Sequence, residues 1–136
     1  MNKVKVITKM PNEKAKIEEI PNDFDFVSEF VEGLVDSTFL PTDEDIDVIV
    51  NDSSLTLGME PNIVTPEFEG VFAGPLIFCT HDDDGNMVSL SDEQIEKAMK
   101  YIERNSVFNM SLERAYQYSQ IIGPLQRCED ELGMEA

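Results

Sequence analysis

The spacing of hydrophobic and polar positions changes several times along this 136-residue chain, and each change marks an element. Val4 and Ile7, with their neighbours in Lys3–Lys9, predict a first strand, and Lys14–Ile20 predicts a second. Pro11-Asn12 supplies turn chemistry between them, so the two form a hairpin. Pro21-Asn22-Asp23 then opens a helix capped by Asn22 or Asp23. Phe26, Val27, Phe30, Val31, Leu34 and Val35 recur at helical spacing and leave Asp25, Glu29, Glu32 and Asp36 outside. After Thr38–Pro41, the alternation that begins at Asp45 predicts a strand to Asn51. Asp52-Ser53-Ser54 turns into a short Leu55-Thr56-Leu57 segment, followed by a loop from Gly58 to Pro61-Asn62. Gly70–Thr80 is the most apolar stretch and predicts one central strand, with Pro75 at a bulge or edge. Asp84-Gly85-Asn86 makes a hairpin turn into Met87–Leu90.

The sharpest local signal follows. Ser91-Asp92-Glu93-Gln94 has the pattern of a capping box, flanked by a hydrophobic staple of Leu90 and Ile95. Ile95, Ala98, Met99 and Ile102 form the inward stripe of the helix, with Glu93–Lys97 and Glu96–Lys100 pairs outside. A last helix begins near Ser111 and ends at Gly123-Pro124, leaving Gln126–Ala136 as a tail. Together these elements predict an α+β fold, with a mostly antiparallel sheet of about five or six strands packed by two or three helices. Residues 1–105 form the α+β domain, and 106–136 add a C-terminal helix and tail packed on it. Phe26, Phe30, Val48, Val50, Phe72, Ile77, Ile95, Met99 and Ile102 are the expected core.

The order strand, strand, acidic helix is followed by Val48-Ile49-Val50-Asn51, Leu57-Gly58, Pro61-Asn62, Gly74 and Val88-Ser89-Leu90-Ser91-Asp92-Glu93-Gln94-Ile95. Over roughly residues 3–102 this resembles the uncharacterised domain of unknown function 3846, found in Gram-positive bacteria and their phages and plasmids. The resemblance implies an α+β fold and a mobile-element setting. It carries no catalytic residues over.

Charge changes the picture more than composition does. From Ile17 to Glu96 there is no lysine or arginine, yet 21 of the 28 acidic residues lie there, and the net charge is −18. With 41% hydrophobic residues and eight phenylalanines, the chain has enough apolar content to bury a core, so the charge belongs to a folded surface. Eighty residues of one sign cost a compact state through self-repulsion. The same field repels phosphate, which disfavours direct contact with nucleic acid or an anionic membrane. The alternating residues after Met1 do not form a signal-peptide core, and no apolar run is long enough to span a bilayer. The expected location is the cytoplasm of a bacterial host. Cys79 and Cys128 lack paired spacing and are expected to be reduced thiols.

Catalytic and metal chemistry find no support. In His81-Asp82-Asp83-Asp84-Gly85-Asn86, an EF-hand register would put Thr80 first and Ser91 twelfth, where carboxylates belong, so a solvated turn is expected. Cys79 and His81 share a strand face, but no second Cys/His pair completes a tetrahedral site. His81 is the sole histidine, no serine sits in a strand–turn–helix elbow, and the seven glycines are scattered singly. No catalytic residue, cofactor or metal is expected, and the protein is read as a non-enzyme.

The acidic surface is therefore the candidate site. Duplex DNA carries one charge per roughly 1.7 Å of axis, so 21 charges match about 36 Å, close to the diameter of a compact domain this size. The leading expectation is an anti-CRISPR or anti-restriction inhibitor that mimics nucleic acid. Its partner would be a basic nucleic-acid-binding protein, a host defence nuclease or CRISPR effector, whose groove the carboxylates fill. Asp43, Glu44, Asp45 and Asp47 with Asp82, Asp83 and Asp84 should carry it, extended by Glu29, Glu32 and Asp36 if the first helix packs beside them. Tyr101, Tyr116 and Tyr118 are candidate apolar anchors at the rim. The alternative is a non-catalytic regulatory module of the element, with incidental charge and an apolar or sheet-edge contact. Weak divalent-cation binding at 82–86 is a third.

Overall fold

The computed structural model describes residues 2–108 and 110–118. β1 (Lys3–Lys9) and β2 (Lys16–Pro21) form the expected hairpin, in register from Lys3 opposite Pro21 to Thr8 opposite Lys16. α1 (Phe24–Val31) follows, with Asp23 at its N-cap position, although the Asp23 side chain caps nothing. The helix is one turn shorter than its apolar periodicity suggests. Glu32 adopts a left-handed conformation at φ 66°, and the Gly33 amide donates back to Ser28 O at 3.0 Å. That termination turns Leu34 outward, 72% exposed instead of buried, and releases Val35 to open a strand.

β3 (Val35–Leu40) and β4 (Asp43–Asn51) pair antiparallel. Phe39 lies opposite Asp47 and Leu40 opposite Asp43, so residues 44–46 bulge from the ladder. The Pro61-Asn62 loop is instead the start of β5 (Pro61–Thr65). β5 pairs with β6 (Gly70–Ala73) in a separate two-stranded sheet. The expected Gly70–Thr80 strand is thus two strands. Gly74, at φ 78°, breaks it where a Cβ would lie 2.6 Å from Met59 Sδ, and Pro75 offers no amide to continue a ladder.

β7 (Leu76–His81) is central, paired with β4 on one edge and with β1 on the other. β8 (Met87–Val88) pairs with the last residues of β7, Thr80 and His81. The main sheet has six strands in the order β2-β1-β7-β4-β3 with β8 on β7, all antiparallel.

Alternation in β4 and β7 sends residues to two cores. Ile49, Ile77 and Cys79 pack with Val27 and Val31 of α1 on one face. Ile46, Val48, Leu76 and Phe78 pack on the other face against α2 (Asp92–Asn105) through Ala98, Tyr101 and Ile102, and against Ile63 of β5. Of the expected core, Val48, Ile77 and Ile102 are fully buried; Phe26, Phe30, Val50, Phe72, Ile95 and Met99 are half-buried against these clusters. The fold is α+β, as the sequence pattern predicts.

The capping box closes α2. The Gln94 amide donates to Ser91 Oγ at 3.1 Å, and the Ser91 amide to Gln94 Oε1 at 2.9 Å. Glu96 and Lys100 approach to 3.8 Å as expected, whereas Lys97 turns from Glu93 to Asp43. α3 (Leu112–Gln117) begins at Ser111, whose Oγ accepts from the Arg114 amide. The Gly123-Pro124 helix end, Cys128 and the tail Gln126–Ala136 lie outside the described residues. Among the described residues no helix is long and apolar enough to cross a membrane.

Candidate partner-binding surface

Antiparallel pairing fixes which carboxylates meet. β4 starts where β7 ends, because Asp47 lies opposite Cys79 and Ile49 opposite Ile77. Asp43, Glu44, Asp45 and Asp47 therefore share one end of the sheet with the 82–86 turn, and the Thr80 hydroxyl ties the two by donating to Asp45 O at 2.7 Å. The first turn of α2 comes to the same end, since Gln94 Nε2 donates to Thr80 Oγ1 at 3.2 Å. Asp92 and Glu93 thus join the patch from a third element. The capping box offered a signal for them: acids favour a helix N-terminus, and the box locates that terminus. Its meeting with β7 is tertiary and was not legible.

The first-helix acids go elsewhere. Asn51 Nδ2 donates to Val31 O at 2.9 Å, which pins the C-terminal end of α1 to the far end of β4. Asp36 lies opposite Val50, at that same far end. The structure therefore brings together the seven turn and strand carboxylates but places Glu29, Glu32 and Asp36 at the opposite end of the sheet. Helix direction and strand register, rather than chain order, decide this.

Within the patch some carboxylates are engaged. Asp43 Oδ2 accepts from Lys97 Nζ at 3.1 Å, and its Oδ1 accepts from the Asp45 amide at 3.0 Å. The backbone bond first, and Lys97 second, hold Asp43 below the usual carboxylate range. The Asp43 bond in turn raises Lys97 above an ordinary lysine. Asp82 Oδ1 accepts from the amides of Asp84 and Asn86, each at 2.9 Å, and the Asn86 bond leads in lowering its pKa. The turn carboxylate is thus committed to its own backbone. Glu44, Asp45, Asp83, Asp84, Asp92 and Glu93 are exposed.

Asp47, Cys79 and His81 share the α1 face. His81 Nδ1 lies 2.8 Å from Asp47 Oδ2, and that hydrogen bond, with the Asp47 charge, raises the histidine above its ordinary value. Cys79 is buried, and desolvation pushes its thiol up to about 12, so it is an inert core residue. Among the described residues no three His, Cys, Asp or Glu side chains converge as a metal site.

Of the proposed tyrosine anchors, Tyr116 and Tyr118 lie away from this patch. Tyr101 is buried and donates to Glu67 Oε1 at 2.6 Å, while Tyr116 and Tyr118 belong to α3 and its C-cap, tied to the C-terminal end of α2 by the Arg114–Asn105 bond. The aromatic group beside the acids is Phe39, opposite Asp47, packed edge-on to Phe68 at 5.7 Å. Both residues are over two-fifths exposed. Phe39 was legible as an apolar residue near the turn, but its pairing with Phe68 depends on the separate β5–β6 sheet.

A family model described as a domain of unknown function (DUF3846) matches residues 4–106, and the chain belongs to that family. No curated protein and no solved structure matches it.

Proposed function

We propose that this DUF3846 protein is an acidic, non-catalytic inhibitor, carried by a mobile element, that occupies the basic nucleic-acid-binding groove of a host defence nuclease of the restriction or CRISPR type. The observation that carries this reading is the convergence of exposed Glu44, Asp45, Asp83, Asp84, Asp92 and Glu93 from three separate segments at one end of the sheet. Such carboxylates stand in for phosphates, accept charge-assisted hydrogen bonds from lysine and arginine, and release counterions on binding. Phe39 and Phe68 would add a salt-independent anchor at the edge of the patch. Lys97 and His81 lie within the patch and reduce its effective charge, so the engaged Asp43 and Asp47 contribute less than their exposed neighbours.

The test is capture of the nuclease from host lysate at low salt, followed by a salt gradient and by displacement with duplex DNA. A variant carrying Glu44→Gln, Asp83→Asn and Asp84→Asn removes three unengaged charges at nearly constant volume. It should bind at least about tenfold more weakly at low salt, with a shallower salt dependence. Capture that is indifferent to salt, to DNA and to these substitutions would overturn the reading.

A second reading rests on the other end of the molecule. Leu34, Leu55 and Leu57 are 72%, 66% and 62% exposed, and the Asp52 amide donates to Leu34 O at 2.8 Å, placing this apolar group beyond the far end of β4. A regulatory module would bind its partner there, without salt dependence.

A further inference from the structure

Lys9 is the one buried charged side chain among the described residues, 1% exposed. It closes β1 opposite Leu76, at the end of the sheet remote from the acidic patch. Its ammonium donates to Met10 O and to Asn62 Oδ1, both at 2.9 Å. Those are neutral acceptors, and an ammonium has three hydrogens. Among the described residues no carboxylate oxygen lies within 4.0 Å of Nζ, although the chain has 28 acids to offer. Glu13 is near enough to oppose the effect of burial, yet burial prevails and the pKa falls to about 8. A buried cation with no counter-charge is costly unless something completes it.

A cavity of about 380 Å³ is lined by Lys9 and Lys14, by Ser106, and by the apolar Ala15, Met99 and Ile102; Phe108 and Glu103 complete its wall. Ser106 is 5% exposed, and its hydroxyl has no hydrogen-bond partner among the described residues. Ser106 and Lys9 meet through β5. Ser106 bridges Ile63, the Val107 amide donates to Asn62 O at 2.9 Å, and Asn62 holds the Lys9 ammonium. Among the described residues the cavity therefore has a polar end with two unused donors and a cationic flank in Lys14, above an apolar wall. Its size falls in the range of small-molecule sites.

We propose that this cavity binds a small carboxylate with an apolar body. The carboxylate accepts the third Lys9 hydrogen and the Ser106 hydroxyl, and the apolar part lies against Met99 and Ile102. Glu103 keeps the flank from favouring a multiply charged anion, and Lys14 balances it. The cavity and the acidic patch lie at opposite ends of α2 and share no residue.

The experiment is a titration of the full chain with octanoate and, in parallel, with octanol, followed by NMR of the Met99 and Ile102 methyl groups. Octanoate should saturate at millimolar concentration or below and shift both methyls, and octanol should bind at least about tenfold more weakly. Lys9→Met preserves the shape of the side chain and should abolish this preference for the carboxylate. Ser106→Ala should weaken octanoate severalfold and leave octanol unchanged. Affinity for octanoate should fall as pH rises above about 8, where unliganded Lys9 loses its proton; Lys14 and Glu103, which line the cavity, and Glu13, whose charge reaches Lys9, are solvent-exposed. Equal binding of the two probes, saturation without methyl shifts, or full octanoate affinity in a folded Lys9→Met variant would each overturn the proposal. So would the absence of saturable octanoate binding.

Discussion

The two ends of the central sheet handle charge in opposite ways. At the end built from the start of β4, the turn after β7 and the first turn of α2, carboxylates are numerous and solvated. Where their pKa values move, the cause is a local hydrogen bond: Asp43 to the Asp45 amide and Lys97, Asp82 to the amides of its own turn. At the other end a single lysine is removed from water between β1 and β5, and burial is what moves it. The many exposed charges therefore contribute little individually to stability, while the buried Lys9 carries a large electrostatic cost. A mutation that looks minor by charge count can thus matter more at the lysine end than several at the acidic end.

The largest effect that follows is at Asn62, which is fully buried. Its Nδ2 donates to Lys9 O at 2.9 Å and Gly74 O at 2.8 Å, and its Oδ1 receives the Lys9 ammonium. Asn62→Ala strands a buried ammonium and two carbonyls together and should cost about 3–5 kcal/mol in urea unfolding. Glu44→Gln, at the acidic end, should change stability by less than about 0.5 kcal/mol. Comparable losses from the two substitutions would break the comparison.

This contrast also explains what the sequence could tell. The apolar spacing of β1 predicts its bounds, and Ser91 and Gln94 mark the start of α2, because in both cases the signal lies in neighbouring residues of the chain. Asn62 reads as a loop residue after a proline. Its partners come from Lys9 and Gly74, distant in sequence, and no local pattern encodes them. The acidic patch falls between these cases. Asp43 to Asp47 and Asp82 to Asp84 are legible as residues at strand ends, and antiparallel pairing of β4 with β7 joins them. Asp92 and Glu93 need the path of α2. Glu29, Glu32 and Asp36 lie at the opposite end because packing sets the direction of α1 over the sheet, and strand register places Asp36.

A smaller effect, sharper in sign, concerns pH at the lysine end. Lys9 falls from 10.5 to about 8 on folding, so between those values the unfolded chain binds more protons than the folded one. Stability from this group must therefore rise with pH across that window, by roughly 3 kcal/mol at most. Exposed lysines also titrate there, so the measurement is the difference between the wild type and Lys9→Met. That difference should move in favour of the wild type from about pH 8 to about pH 10.5. A difference that stays constant would mean that Lys9 is solvated in solution, and the contrast between the two ends would lose its basis.

The smallest effect belongs to His81 at the acidic end. Its Nδ1 lies 2.8 Å from Asp47 Oδ2, and the side chain is 43% exposed, so water and salt screen the pair. The hydrogen bond to Asp47 raises the histidine, with further help from Asp45 and Asp82. A raised pKa means that the folded chain holds the proton more tightly than the unfolded chain. The stabilisation is complete below the ordinary value of 6.5 and is lost as pH rises through the raised value. His81→Gln should therefore lower Tm slightly at about pH 5, and the gap should close by about pH 9. Added salt should narrow the gap at the lower pH, as expected for a pair that water reaches. A gap that persisted at high pH and ignored salt would show instead that the ring acts through packing, and that charge at this end is less solvated than its exposure implies.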